Sequence, residues 1–370
     1  MRRRGLAVTA PGRLEFVDDE LPEPPDGTLL LRTEATGLSA GTELAFVKGD
    51  HPALHSGMDA ELGLFRPGTT GTGYPVLRLG YMEVARVQLS RTPAFAAGDL
   101  VATTYGHATA HLSDPLREHV VPLPTDLDPL LGVFVAHFGP ICANGLLHAA
   151  ADATGGAVSG LADGVSGRRV AVVGGGPIGL LTAVFAARHA AAEVVVIDTD
   201  ARRRGAAEHL GLGSLPADGD PAHTLKMRWR HGPADHGADI VFQCRGRPEA
   251  LATALRVARP QGTVVDLAFY TGAAEGVRLG EEFHHNGLTL RCAQIGRVPR
   301  GLGPTWDRHR LSVETLQLLH GHGEDLRRVL ITDVVPLAQA PTLMADIAAR
   351  RRHVLTAVFT TADEHPDRPR

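Results

Sequence analysis

The chain has 370 residues, 44% of them hydrophobic and 21% charged, which is the balance of a globular protein with room for two or three domains. A net charge of -4 gives no electrostatic case for binding nucleic acid or an anionic membrane surface. Three widely spaced cysteines, Cys142, Cys244 and Cys292, argue against a disulfide framework and against a multi-cysteine zinc lobe. The basic start, Met1 to Gly5, has no apolar stretch behind it, and the apolar run 180–192 contains Arg188 and His189. Neither a secretory leader nor a membrane span is expected, and the cytoplasm is the expected compartment.

Three zones follow in chain order. Residues 1–131 are rich in Gly and Pro and carry short β-like runs at 28–33, 82–87 and 100–102, the last entered through the Gly98-Asp99 turn. Residues 132–296 alternate strands and helices. The continuous apolar run 170–173 reads as a buried parallel strand, a helix follows over 178–189, and a second buried strand spans 193–197. Apolar runs at 238–242 and 262–267 flank a helix over 249–258. This alternation predicts an α/β unit with a doubly wound parallel sheet. The Ala/Gly-rich stretch 149–164 reads as a loose loop before the first sheet strand. Residues 297–370 hold helices over 310–320 and 338–351, then a β-like run over 354–359.

Directly after the strand at 170–173, Gly174-Gly175-Gly176-Pro177-Ile178-Gly179 fits G-x-G-x-x-G and opens a helix, the context that gives this motif its meaning. Gly174 permits the tight turn, Gly176 a close approach to a pyrophosphate, and Gly179 close helix–strand packing; the start of the helix at Pro177 and Ile178 faces the phosphates. Asp198 ends the second strand, where a carboxylate accepts ribose hydroxyls and repels a 2′-phosphate, so NAD is the expected cofactor. Arg203 and Cys244 complete the expected cofactor set. The run Arg202-Arg203-Arg204 reads as the exposed start of a helix, with a 2′-phosphate as its other possible partner.

Particular motifs carry a family resemblance over nearly the whole chain. Gly37-Leu38-Ser39-Ala40-Gly41-Thr42-Glu43 stands where zinc alcohol dehydrogenases have G-x-C-G-[ST]-D; Tyr74-Pro75-Val76 and Leu79-Gly80-Tyr81-Met82 stand where they have Y-P and G-H-E; Gly98-Asp99-Leu100-Val101 matches G-D-x-V. The chain thus resembles the medium-chain dehydrogenase/reductase superfamily, which implies a Rossmann sheet inserted in a β-rich, GroES-like catalytic domain. The zinc ligands of that pattern are replaced: the first cysteine by Ser39 or Ala40, the histidine by Tyr81, the glutamate by Met82. No cysteine lies near residues 90–115, where the structural zinc loop would be. The sequence looks most like the zinc-free G-x-S-x-G-T-E branch that includes bacteriochlorophyllide a dehydrogenase; the stretches 291–299 and 306–311 fit that branch too. No metal is expected.

Alcohol oxidation without zinc needs a side chain to take the hydroxyl proton, and near neutral pH that is usually histidine. A tyrosine–lysine pair is the other solution, but the chain has two lysines, Lys48 and Lys226, and neither lies near a tyrosine in sequence. His107 and His137 stand where the resemblance places the active site, with His111 a third candidate; Glu43 and Tyr81 are expected near the substrate oxygen. Asn144 and Ser39 are expected substrate contacts, with Asp59 and Glu61 as further carboxylates for hydroxyl or ammonium groups. Cys142 reads as a small buried hydrophobe. The leading expectation is an NAD-dependent, zinc-independent dehydrogenase of a secondary alcohol such as a polyol, sugar or amino sugar. A zinc-free enoyl or quinone reductase and a non-catalytic NAD-binding sensor are the alternatives. An unpaired sheet edge at 288–292 predicts a homodimer joined through the Rossmann domains.

Overall fold

A computed structural model of the chain describes residues 1–67 and 71–361. The chain divides into two compact units, Met1–His137 with the segment from Ile331 onward, and Phe138–Leu330.

The first unit opens on a hairpin, β1 Arg2–Ala10 against β2 Arg13–Glu20. Here Arg2 and Arg4 pair with Asp18, and Arg3 with Asp19, so the basic start is a charge-matched strand. β3 Leu29–Gly37 leads into α1 Ala40–Lys48, then into a small hairpin of β4 Ser56–Asp59 and β5 Leu64–Pro67. β6 Glu83–Ser90, β7 Leu100–Thr103, β8 Ala110–Ser113 and β9 Val120–Pro122 follow. On β3 the burial alternates along Leu29, Leu31 and Thr33, the period of a strand with one face to a core.

The second unit begins with α2 Phe138–Thr154 and then builds one parallel sheet. Its elements are β10 Arg169–Val173, α3 Pro177–Arg188, β11 Glu193–Asp198, α4 Ala201–His209, β12 Gly213–Pro216 and α5 Pro221–Arg228. A short hairpin, β13 Arg230–Gly232 and β14 Asp235–His236, precedes β15 Ala238–Gln243, α6 Pro248–Val257, β16 Ala258–Asp266, β17 Thr289–Cys292 and α7 Arg308–Leu330. The sheet order is β12-β11-β10-β15-β16-β17, with every pairing parallel. Val170, Ala171, Val172 and Val173 on β10 are all buried, as a strand covered on both faces requires. The order turns back on either side of β10, and that switch point is where a doubly wound sheet takes a ligand.

The chain then returns to the first unit with β18 Ile331–Pro336, α8 Ala340–Ala348 and β19 Thr356–Thr360. The resulting sheet runs β18-β19-β3-β6-β7-β9, with β8 paired to β3. Leu6, Val8, Leu38, Leu44, Met344 and Phe359 share its core.

Three features differ from the sequence reading. The unit boundaries fall at 137/138 and 330/331, not at 131/132 and 296/297. Val133 and Phe134 are buried in a turn against β3 and β6, while α7 buries Leu311, Leu318, Leu319 and Leu326 and packs on α2 and α3. The stretch 149–164 is no loose loop at its start: Ala149, Ala150 and Ala151 are buried inside α2, where alanine is the strongest helix former. The first unit also carries a helix, α1, although no helical period marks it.

Candidate functional site

In the first unit, the end of β3, the start of α1 and the segments before β6 and after β7 bring polar side chains together. The His107 ring is fully buried; its Nε2 lies 2.7 Å from Glu43 Oε2 and its Nδ1 2.7 Å from Thr36 Oγ1. In the neutral ring, Nε2–H donates to the carboxylate and Nδ1 accepts the threonine hydroxyl. Glu43 is 1% exposed, and its Oε1 accepts the backbone N–H of Ser39 at 2.8 Å. Ser39 caps α1 by position, but its hydroxyl makes no cap bond; Glu43 serves the backbone instead. That leaves Ser39 Oγ to accept the phenol of Tyr81. The Tyr81 ring also leans on His137, centroids 4.2 Å apart at 47°. Burial, reinforced by the charge of Glu43, pushes the Tyr81 phenol up to about 12. Gly80, at φ +93°, precedes it; a Cβ there would lie 3.1 Å from His107 Nε2.

His137 is partly exposed, and so is Tyr81. His111 belongs elsewhere: it stacks flat on Tyr105 at 3.8 Å, with Nδ1 3.4 Å from buried Glu83. Burial alone would raise the Glu83 carboxyl. The His111 contact and the hydroxyls of Thr103 and Thr33, each 2.5 Å away, outweigh it and hold the group below the usual carboxylate range. Asp59 pairs with Arg66 at 2.6 Å and accepts Leu62 N, so it closes the β4–β5 turn, and Glu61 is exposed in that turn.

The positions that the resemblance assigns to zinc do not fit a zinc ion. Ser39 and Tyr81 are bonded to each other. Met82 is wholly buried, its methyl carbon 3.0 Å from where a Cβ on Gly37 would stand. Zinc takes thiolate, imidazole or carboxylate. Among the described residues no group of three or more His, Cys, Asp or Glu is arranged to hold a metal.

In the second unit, the glycine turn lies at the C-terminal end of β10. Gly174 has φ +106°, and a Cβ on Gly179 would fall 1.7 Å from Gly174 O. A Cβ on Gly176 would meet nothing within 4 Å, so the turn leaves open space beside the start of α3, and Gly176 caps that helix without a side-chain bond. These features fit a dinucleotide phosphate. Asp198 is 1% exposed; Oδ2 accepts Gly175 N at 2.7 Å and Oδ1 accepts Asp200 N at 2.8 Å, with Arg203 Nη1 3.6 Å from Oδ2. Arg202 sits on Asp200, pushing that carboxyl down to about 2, and the arginine run does begin a helix, α4. Cys244 follows β15 with its N–H on Val173 O, and burial raises its thiol well above the ordinary value. Cys142 bonds to Ile178 O, and burial raises it to about 12; both thiols stay protonated at neutral pH.

Asn144 is buried on α2. Its Nδ2 faces three carbonyls, Arg297 O at 3.1 Å and Ala293 O and Gln294 O at 3.4 Å, so the amide pins the loop after β17. Sequence reasoning missed Thr36 and Arg245. Thr36 lies on a strand whose pattern reports only burial. Arg245, one residue past Cys244, reaches Thr199 Oγ1 at 3.0 Å.

A family model described as zinc-binding dehydrogenase matches residues 177–301. D-guloside 3-dehydrogenase of Escherichia coli is 31% identical over 177 residues, 46% of this chain and 48% of that protein. The chain thus spans about half the length of the curated relatives it matches first. Galactitol-1-phosphate dehydrogenase from E. coli superposes with TM-score 0.74 at 16% identity, covering 96% of this chain and 99% of that one. A zinc-binding dehydrogenase from Sinorhizobium meliloti bound to NADP gives TM-score 0.72 at 19% identity, over 97% and 99% of the two chains. At these identities the structural likeness establishes the fold.

Proposed function

We propose that the chain is a member of the medium-chain dehydrogenase/reductase superfamily, an NAD-dependent dehydrogenase interconverting a secondary alcohol and its ketone without zinc. One observation carries this reading: the zinc-ligand positions are held by buried Met82 and by Ser39 and Tyr81, which are bonded to each other and, through the Ser39 backbone N–H, to Glu43 and His107. When bound, the nicotinamide cofactor supplies the hydride acceptor. The protein's task is then to take the hydroxyl proton.

His137 is the base of this proposal. Its ring is partly exposed beside Tyr81, whereas the His107 ring is fully buried. Tyr81 keeps its proton at neutral pH; its one O–H, donated here to Ser39 Oγ, serves the substrate oxygen by turning from Ser39 to it when substrate is bound. His107 and Glu43 are positioning residues that hold Ser39, and through it Tyr81. Asp198 supports NAD over NADP, because a buried carboxylate disfavours a 2′-phosphate. The sugar dehydrogenase among the relatives supports a polyhydroxylated substrate such as a polyol, sugar or amino sugar. The exposed edge at Thr289 and Leu290 supports a homodimer, and the cytoplasm is the proposed compartment. The test is kcat/KM with NAD and with NADP over a panel of aliphatic and polyhydroxylated alcohols. The reading expects at least a tenfold preference for NAD and for a polyhydroxylated alcohol; equal use of both cofactors, or a preference for aliphatic alcohols, would overturn those two assignments.

A further inference from the structure

We propose that Arg245 is the cationic partner of the cofactor's pyrophosphate, a role that rests on the dinucleotide reading of the glycine turn. Arg245 stands past the end of β15 and Thr199 past the end of β11, while β10 lies between those strands. The guanidinium donates from Nη1 to Thr199 Oγ1 at 3.0 Å, so the side chain crosses the end of β10 where the glycine turn begins. Its stem lies against that turn: a Cβ on Gly174 would stand 3.0 Å from Arg245 Cβ. The backbone beneath it is fixed, because Gln243 Nε2 donates to Arg245 O at 2.6 Å.

The turn itself is short of positive charge. Gly174 N–H is spent on Ile197 O and Gly175 N–H on Asp198, while Pro177 has no N–H to give. A helix start offers about half a unit of positive charge, whereas a pyrophosphate brings two negative charges. Lysine cannot fill the gap: of the two in the chain, Lys48 is on α1 in the first unit, and Lys226 is bonded to Ala258 O and His236 O. Arg203 faces Asp198. Arg245 has no carboxylate partner among the described residues; its bond is to a neutral hydroxyl that it can exchange for phosphate oxygens, which suit its planar fork.

The test is calorimetric titration of the full chain with NADH, ADP-ribose and NADPH, in wild type, Arg245→Gln, Arg245→Lys and Arg278→Ala. Among the described residues Arg278 bonds only to Glu281, and it controls for loss of one positive charge elsewhere in the second unit. Arg245→Gln is expected to weaken NADH and ADP-ribose by the same factor, about 10–100-fold. Arg245→Lys, which keeps the charge but not the fork, should recover only part of that loss, and Arg278→Ala should stay within about twofold of wild type. The salt dependence of NADH binding should flatten in Arg245→Gln. Unchanged NADH affinity in a folded Arg245→Gln, or a loss confined to NADPH, would overturn the proposal, the second outcome assigning Arg245 to the 2′-phosphate. Wild-type protein that binds none of the three ligands would instead defeat the dinucleotide reading, and this inference with it.

Discussion

A fully buried imidazole and a partly exposed one beside a phenol face different tasks, and two substitutions separate them. His107→Ala leaves the buried Glu43 carboxylate without that hydrogen-bond donor, which costs about 1–3 kcal/mol, to be read as a fall in the denaturation midpoint. His137→Ala should leave that midpoint nearly unchanged and lower kcat by about 10²–10⁴-fold. Equal turnover in His137→Ala and wild type would remove His137 from the chemistry and return the base to His107. The tyrosines give a second test. Burial raises the phenols of Tyr74, Tyr81, Tyr105 and Tyr270, all four in the chain. A folded pKa above the unfolded value of about 10 stabilises the fold while the phenol stays protonated. That contribution is complete below about pH 10 and is lost as the pH climbs through the folded value, about 12 for Tyr81. Absorbance at 295 nm should therefore show less phenolate in native protein at pH 10 than in denaturant, where about half of the phenols ionise. Matching curves would refute the burial argument.

At the scale of elements, the β10–turn–α3 unit separates packing from binding in two glycines. Gly179→Ala forces a methyl group to within 1.7 Å of Gly174 O and should destabilise the second unit by about 1–3 kcal/mol. Gly176→Val projects into open space from backbone at φ -78°, ψ -177°, which any residue adopts. It should keep the thermal midpoint and weaken NADH binding at least tenfold in a fluorescence titration; unaltered binding would place the phosphates elsewhere. These elements were the most legible in the sequence, because a buried run, a glycine turn and a helix start each leave a local mark. α2 was not, since Ala149–Ala151 and the glycines after them read equally as linker. The roles of Thr36 and Asn144 were hidden for a different reason: a hydroxyl on His107 and an amide on three distant carbonyls are long-range pairings, with no trace in local composition.

For the whole molecule, the substitutions at Ser39, Tyr81 and Met82 were readable as lost zinc ligands, but not what replaced them. The replacement is a connected set, Thr36–His107–Glu43–Ser39–Tyr81, gathered from β3, α1 and the segments beside β6 and β7. If that set together with His137 does the work of the metal, activity must be indifferent to zinc. The direct measurement is NADH formation at 340 nm from a polyhydroxylated secondary alcohol, by protein stripped with a strong chelator and then titrated with zinc. The account predicts full turnover in the stripped protein and no gain on adding the metal. Activity that disappears with the chelator and returns in proportion to added zinc would contradict it.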